Sequence, residues 1–515
     1  MKRFIRYAAK IIFSRTLIVF LMVILQALVL VGSFTWLGTY MHFIWEGMSL
    51  LGAFLIIYII NRDEPAEFKL SWIIPICIFP VLGAMIYVFV ICNIGGIGLK
   101  AKLYIRLKET EGLLSTSQET KDAMEKCSEQ FQSFAYYMEN TGGYPAYHNS
   151  SVVYYPMGED KFEDLLIELK KAKRFIFLEY FIVERGVMWN SVLEVLKEKV
   201  KEGVEVRVMY DGMCSILLLP YKYPKELKKY GIKAKMFAPI MPFLSTNQNN
   251  RDHRKIVVID GKVAFTGGIN LADEYINVKK VYGHWKDVAI KVTGDAVRSF
   301  TVMFLQMWNV SEKGNGDYES YLKDIEYDEP LYHDGFVIPY GEAPTRLNEV
   351  AKNVYENIFD RATKYVHVMS PYFIVDREFL DSMRFSAERG VEVAMILPHI
   401  PDKKLVYYIA RTFYPALLKA GIRVYEYTPG FVHAKAFVAD DKSAVVGTIN
   451  LDYRSFYHHF ECGAYLYKNQ AVAKVEEDFQ NTLLKCQEVT MDYYRKIPVT
   501  QKLLGRIFKL FAPLM

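Results

Sequence analysis

The sequence predicts a duplicated α/β protein preceded by membrane helices, and three observations carry that prediction. Strand-like and helix-like runs alternate beyond about residue 103. The pieces of one half recur in order in the other half. The apolar excess that lifts the hydrophobic fraction to 52% lies before residue 100, against roughly 45–50% in soluble chains.

Residues 1–100 read as an anchor of two or three transmembrane helices. Runs 16–36 and 72–92 are each long enough to span a bilayer, which takes about 20 apolar residues. Run 50–60 reaches that length if 43–47, with Glu46, are included. Residues 1–15 hold five Lys/Arg and no acid, the pattern of a cytoplasmic flank. The first run is too long for a cleaved leader, and no small-residue cleavage site follows it.

The remaining chain repeats. "FIFLEYFIVERG" from Phe175 is answered by "YVHVMSPYFIVD" from Tyr365. "GVEVRVMYDG" from Gly203 is answered by "GVEVAMILP" from Gly390, 187 residues on. "GIKAKMFAP" from Gly231 matches "GIRVYEYTP" from Gly421, 190 residues on. A period this long fits a duplicated domain and not a solenoid. The first lobe is expected over 101–315 and the second over 336–490. An acidic connector, expected to be exposed, fills 316–335, and an amphipathic segment fills 491–515. In that last segment Leu503, Ile507, Leu510 and Leu514 share a helical face, with Lys502, Arg506 and Lys509 off it, which suits a helix lying on anionic lipid.

"DHRKIVVIDG" from Asp252 and "VHAKAFVADD" from Val432 carry the chemistry. Each sets a His, a Lys two residues later and an Asp five after that, at an offset of 180, so the first copy holds about ten extra residues within 240–250. On a strand, residues two apart share a face. His253 and Lys255 therefore point together, as do His433 and Lys435. Asp260 and Asp440 complete the motif and are grouped with its catalytic residues. At odd separation from the His they leave that face and are expected to hold the following turn. "TGGIN" and "VGTIN" follow at the same distance in both copies, ending on Asn270 and Asn450, whose amides are donors for phosphate oxygens.

Two copies supply two imidazoles, two ammonium groups and two amides, which suits phosphodiester chemistry. One imidazole attacks phosphorus to give a phospho-His. The other protonates the departing alkoxide and later deprotonates the entering hydroxyl. The cations and amides hold the charge of the non-bridging oxygens. Asp287, 34 residues after His253, and Glu461, 28 after His433, are expected to orient the rings. His458 and His459 read as structural, with no counterpart in the first copy. No HExxH, acidic triad or P-loop is present, so no metal and no other cofactor is expected. None of the six cysteines forms a CxxC pair, which excludes a zinc site and a disulfide framework.

These motifs resemble the phospholipase D superfamily and, within it, the bacterial cardiolipin synthases. "KLSWIIPICIFPVLGAMIYVF", "LEYFIV", "RDHRKIVVIDGKVAFTGGINLADEY", "GHWKDV", "SPYFIVD" and "FVHAKAFVADDKSAVVGTINLDYRSF" carry the resemblance over nearly the whole chain. The resemblance implies pseudo-twofold lobes with one active site between them. It implies transfer of a phosphatidyl group between two phosphatidylglycerol molecules, with His253 as nucleophile and His433 as acid and base. Partners are then phosphatidylglycerol, other anionic lipids and the membrane. The alternative from the residues is a membrane-anchored phosphodiesterase or nuclease. No continuous basic groove signature is present, so no nucleic acid is expected. Nothing in the sequence bears on oligomeric state. The run 16–36 is additional to the family's usual hydrophobic hairpin.

Overall fold

The computed structural model describes residues 24, 27, 38–91, 94–214, 218–239, 250–327, 331, 334–344 and 349–514. The expected helix 16–36 and the extra residues 240–249 lie outside the described residues, apart from isolated helical positions at 24 and 27. By its contacts the chain divides into one unit of residues 1–100, 240–249 and 506–515, and a second of 101–239 and 250–505.

In the first unit three helices follow one another, Gly38–Ile60, Ala66–Ile78 and Pro80–Ile91. The run 72–92, expected as one spanning helix, breaks at Phe79. Pro80 crowds the backbone before it and disfavours the helical conformation there; Phe79 takes φ −129° and ψ 76°. Gly83 lets the two pieces close, because a β-carbon there would meet Pro75 O at 2.6 Å. The pieces of 13 and 12 residues are each about 20 Å long, short of the roughly 30 Å hydrocarbon core. Among the described residues no helix is long and apolar enough to cross a membrane. Ile59, Ile76 and Tyr87 form a small apolar core. Leu50, Phe54, Ile57 and Ile78 remain exposed.

The second unit holds two mixed sheets. The first has seven strands in the order Ser150–Tyr155, Ala289–Gly294, Val263–Gly267, Lys255–Ile259, Phe175–Tyr180, Glu205–Asp211, Lys233–Phe237. The second has eight. It repeats that order with Phe336–Glu342, Glu461–Tyr467, Ser443–Gly447, Ala436–Ala439, Tyr365–Met369, Glu392–Pro398 and Arg423–Tyr427, and adds Cys486–Val489 at the edge. In both, the strand that carries the motif runs antiparallel to a central partner, Phe175–Tyr180, buried throughout, or Tyr365–Met369, buried after Tyr365. Continuous apolar sequence on these strands follows from burial on both faces.

Two expectations need correcting. Residues near the start of the expected first lobe pack on the second: Phe131 stacks on Tyr467 with centroids 4.0 Å apart, and Phe134 meets Tyr465. The acidic connector is not an exposed tether. Tyr318 and Leu322 are buried, and the Arg174 guanidinium donates to the carbonyls of Ser320, Lys323 and Asp324. Helix Val499–Lys509 exposes Val499, Leu503, Leu504 and Ile507.

Candidate active site

The two lobes exchange short backbone segments, and that exchange builds the site. His284–Lys286 of the first lobe pairs in parallel with Gly430–Val432 of the second. A β-carbon on Gly430 would overlap the His284 backbone, so only glycine permits the approach. The pairing continues as His433 N–H donates to Lys286 O at 2.7 Å. The reciprocal bridge joins Asp252 to Phe460, and His253 N–H donates to Phe460 O at 2.9 Å. Each histidine N–H thus donates to the residue just before a carboxylate of the other lobe, and the register sets the histidine opposite that carboxylate.

The carboxylates therefore cross over. His253 Nδ1 lies 2.9 Å from both Glu461 oxygens, and His433 Nδ1 lies 2.6 Å from Asp287 Oδ2. Sequence distance had associated each carboxylate with the histidine of its own repeat. A carboxylate on Nδ1 holds the proton there and leaves the Nε2 lone pair for chemistry. Glu461 is fixed in turn by Thr448 Oγ1 at 2.5 Å and Ser455 Oγ at 2.7 Å. Gly268 stands where the second copy has Thr448, and a β-carbon there would collide with the Asp287 carboxylate. Glycine at one position and threonine at the other thus serve equivalent carboxylates, Asp287 and Glu461, in two ways.

Lys255 Nζ donates to His253 O at 2.6 Å. Lys435 Nζ donates to His433 O and lies 2.9 Å from His433 Nδ1. All four side chains are buried. Burial lowers both histidines well below their ordinary value, and Lys435 and Lys255 push His433 the same way. Burial also brings Lys255 down to about 8 and Lys435 to about 7. It raises Asp287 to about 6, against the opposing charge of Lys435. Burial opposes ionisation of Glu461, but its interactions with His253 and His459 together outweigh that and hold it below the usual carboxylate range. Each lysine feels the carboxylate of both lobes, so the two motifs form one electrostatic site.

Asp260 and Asp440, grouped with the catalytic residues of the motif, hold the turns that follow, as their odd separation from the histidines predicts. Asp260 accepts from the backbone N–H groups of Lys173, Arg174 and Phe175. Asp440 accepts from those of Thr363, Lys364 and Tyr365. Both sit at positive φ in the turn and tie it to the neighbouring buried strand. Asn270 is also engaged: Nδ2 donates to Tyr275 Oη at 2.7 Å and Oδ1 accepts from Ile182 N–H, leaving one amide hydrogen. Asn450 is buried, and its Oδ1 has no hydrogen-bond partner among the described residues.

His459 is the residue whose position the sequence concealed. Counted from the carboxylates, His458 and His459 correspond to His284 and Trp285, so they do have counterparts. His253, His459 and Glu461 offer ligand atoms within 4.8 Å of one another, and a metal ion there would displace the His253–Glu461 hydrogen bond.

A family model described as "Cardiolipin synthase, PLD-like domain" matches residues 165–308 and 355–483, and "Phospholipase_D-nuclease N-terminal" matches 50–90. An uncharacterised protein of Streptococcus mutans is 46% identical over 89% of this chain and 99% of its own. A cardiolipin synthase of Alkalihalophilus pseudofirmus is 32% identical over 91% of this chain and 92% of its own. The crystal structure of a Haemophilus influenzae phosphatidylserine synthase superposes with TM-score 0.54 at 16% identity, covering 72% of this chain and 97% of that one, which shows a shared fold.

Proposed function

The chain belongs to the cardiolipin synthase family of phospholipase D-like proteins, and we propose that it transfers a phosphatidyl group from one phosphatidylglycerol to another, giving cardiolipin and glycerol. The observation that carries the reading is the crossed pair of His–carboxylate contacts, because it gives two oriented imidazoles on one site.

His253 Nε2 attacks phosphorus and a P–N bond forms as the P–O bond to glycerol breaks. His433 delivers a proton to that glycerol oxygen. The second phosphatidylglycerol then enters by its terminal hydroxyl, His433 takes the proton, and the P–N bond breaks as the new P–O bond forms. Lys255, Lys435 and the remaining amide hydrogen of Asn270, together with Asn450, are assigned to the non-bridging oxygens. An incoming phosphodiester anion opposes the lysine charges that depress His433, so substrate binding raises its pKa toward the protonated form an acid requires.

Membrane attachment accompanies lipid substrates. We assign residues 38–91 to bilayer association through exposed Phe54, Ile57 and Ile78, and helix Val499–Lys509 to the interface through Leu503 and Ile507 beside Lys502 and Arg506. Incubation of purified protein with phosphatidylglycerol, without metal or CTP, tests the reaction. Cardiolipin and glycerol in equal amounts are expected. Phosphatidic acid alone, or cleavage of single-stranded DNA in place of lipid turnover, would overturn the assignment.

A further inference from the structure

The pseudo-twofold exchange places a second pair of rings in the site besides the two catalytic imidazoles. Two residues before each carboxylate lies an aromatic side chain, Trp285 in the first lobe and His459 in the second. Each crosses to the histidine of the other lobe. Trp285 and His433 have centroids 5.4 Å apart with planes at 45°. His459 and His253 have centroids 5.5 Å apart with planes at 40°. The near equality of these figures makes the two rings structural equivalents, although one is an indole and the other an imidazole.

Both carry buried nitrogens without a hydrogen-bond partner among the described residues, Nε1 of Trp285 and both Nδ1 and Nε2 of His459. Trp285 is 7% exposed and His459 6%. Glu461 Oε1 lies 3.6 Å from His459 Nδ1, too far for a hydrogen bond. Glu461 is already held by His253, Thr448 and Ser455. Buried polar groups are nearly always paired, so an orphan beside a reacting group calls for a partner. Two such orphans, related by the symmetry of the site and flanking both reacting imidazoles, call for a partner that lies between them.

We propose that Trp285 Nε1–H and a ring N–H of His459 donate to the two non-bridging oxygens of the phosphoryl group during transfer, which makes both catalytic residues. This rests on the phosphatidyl-transfer reading and adds two donors to it. An indole can only donate, which fits an oxygen that gains negative charge. The imidazole donates from one nitrogen and keeps the other within reach of Glu461. Because Asn270 has one amide hydrogen left, these rings share the role the sequence had assigned to the asparagines alone.

Full-length protein in detergent micelles provides the test, with orthovanadate as a probe of the five-coordinate phosphorus geometry. In His459→Phe and in Trp285→Phe, vanadate inhibition and kcat/KM should both weaken by roughly 10²–10³-fold, the range for loss of one oxyanion donor. Melting temperature should stay near that of the wild type, since each ring is replaced by a ring. His459→Gln, which restores an N–H, should recover most of the vanadate affinity. Trp285→Phe carries the comparison by itself if His459→Phe does not fold. Unchanged vanadate affinity in the phenylalanine variants would overturn the proposal, as would equal losses in His459→Phe and His459→Gln. A wild-type protein that binds vanadate but makes no cardiolipin would overturn the reading of the reaction and leave these two donors standing.

Discussion

His253 and Glu461 lie 208 residues apart and belong to different lobes, yet Nδ1 of the one stands 2.9 Å from both oxygens of the other. Neither lobe therefore owns a complete catalytic half. His253, which we assign as nucleophile, is oriented from the second lobe, and His433, which we assign as acid, is oriented through Asp287 from the first.

That crossing sorts the carboxylates by reaction step. Asp287→Asn and His433→Ala should slow lipid turnover by about 10²–10⁴-fold, the range for acid–base assistance. Both should recover much of that loss on a nitrophenyl phosphodiester, whose leaving group needs no proton. Glu461→Gln should lose activity on both substrates, because it acts through the nucleophile. Recovery in Glu461→Gln but not in Asp287→Asn would reverse the assignment.

The pH profile should be set by the lysines on its basic side. Burial brings Lys435 to about 7 and Lys255 to about 8. As pH rises through that interval they lose the charge that receives the phosphodiester, so kcat/KM should fall between about pH 7 and 8. On the acidic side, activity should fall first as pH drops through about 6, where Asp287 takes a proton and stops orienting His433, and fall further when His253, whose pKa burial lowers, becomes protonated. A kcat/KM profile flat to pH 9 would contradict the lysine assignment.

Asp440→Asn should destabilise without disabling. The substitution sets an amide against the N–H groups of Thr363, Lys364 and Tyr365, at a cost of about 1–3 kcal/mol. Thermal melting should move down while turnover per folded molecule stays near wild type. The same holds for Asp260→Asn, which faces three N–H groups of its own.

Much of this arrangement could be read from the chain. The recurrence of "GVEVRVMYDG" as "GVEVAMILP" marks equivalent strands, Glu205–Asp211 and Glu392–Pro398, at the same place in both sheets. The two-residue spacing of His and Lys is a strand property and needs no tertiary information. The crossing of Glu461 to His253 was not legible, because it depends on the parallel bridge between Asp252 and Phe460, a contact between lobes. His459 was read as structural and Trp285 was not singled out for the same reason: they are unlike in sequence and alike only in register. The break at Phe79 was written in Pro80, but a hydropathy window averages across it. The connector's docking through Arg174 depends on carbonyls, which every residue carries alike.

The identity of the covalent intermediate tests the central claim most directly. Protein mixed with labelled phosphatidylglycerol, quenched under conditions that preserve the P–N bond and digested for mass spectrometry, should carry phosphatidyl on His253. The adduct should be absent in His253→Ala and still detectable in His433→Ala. Label on His433 in the wild-type protein would contradict the assignment of the attacking half to the first lobe.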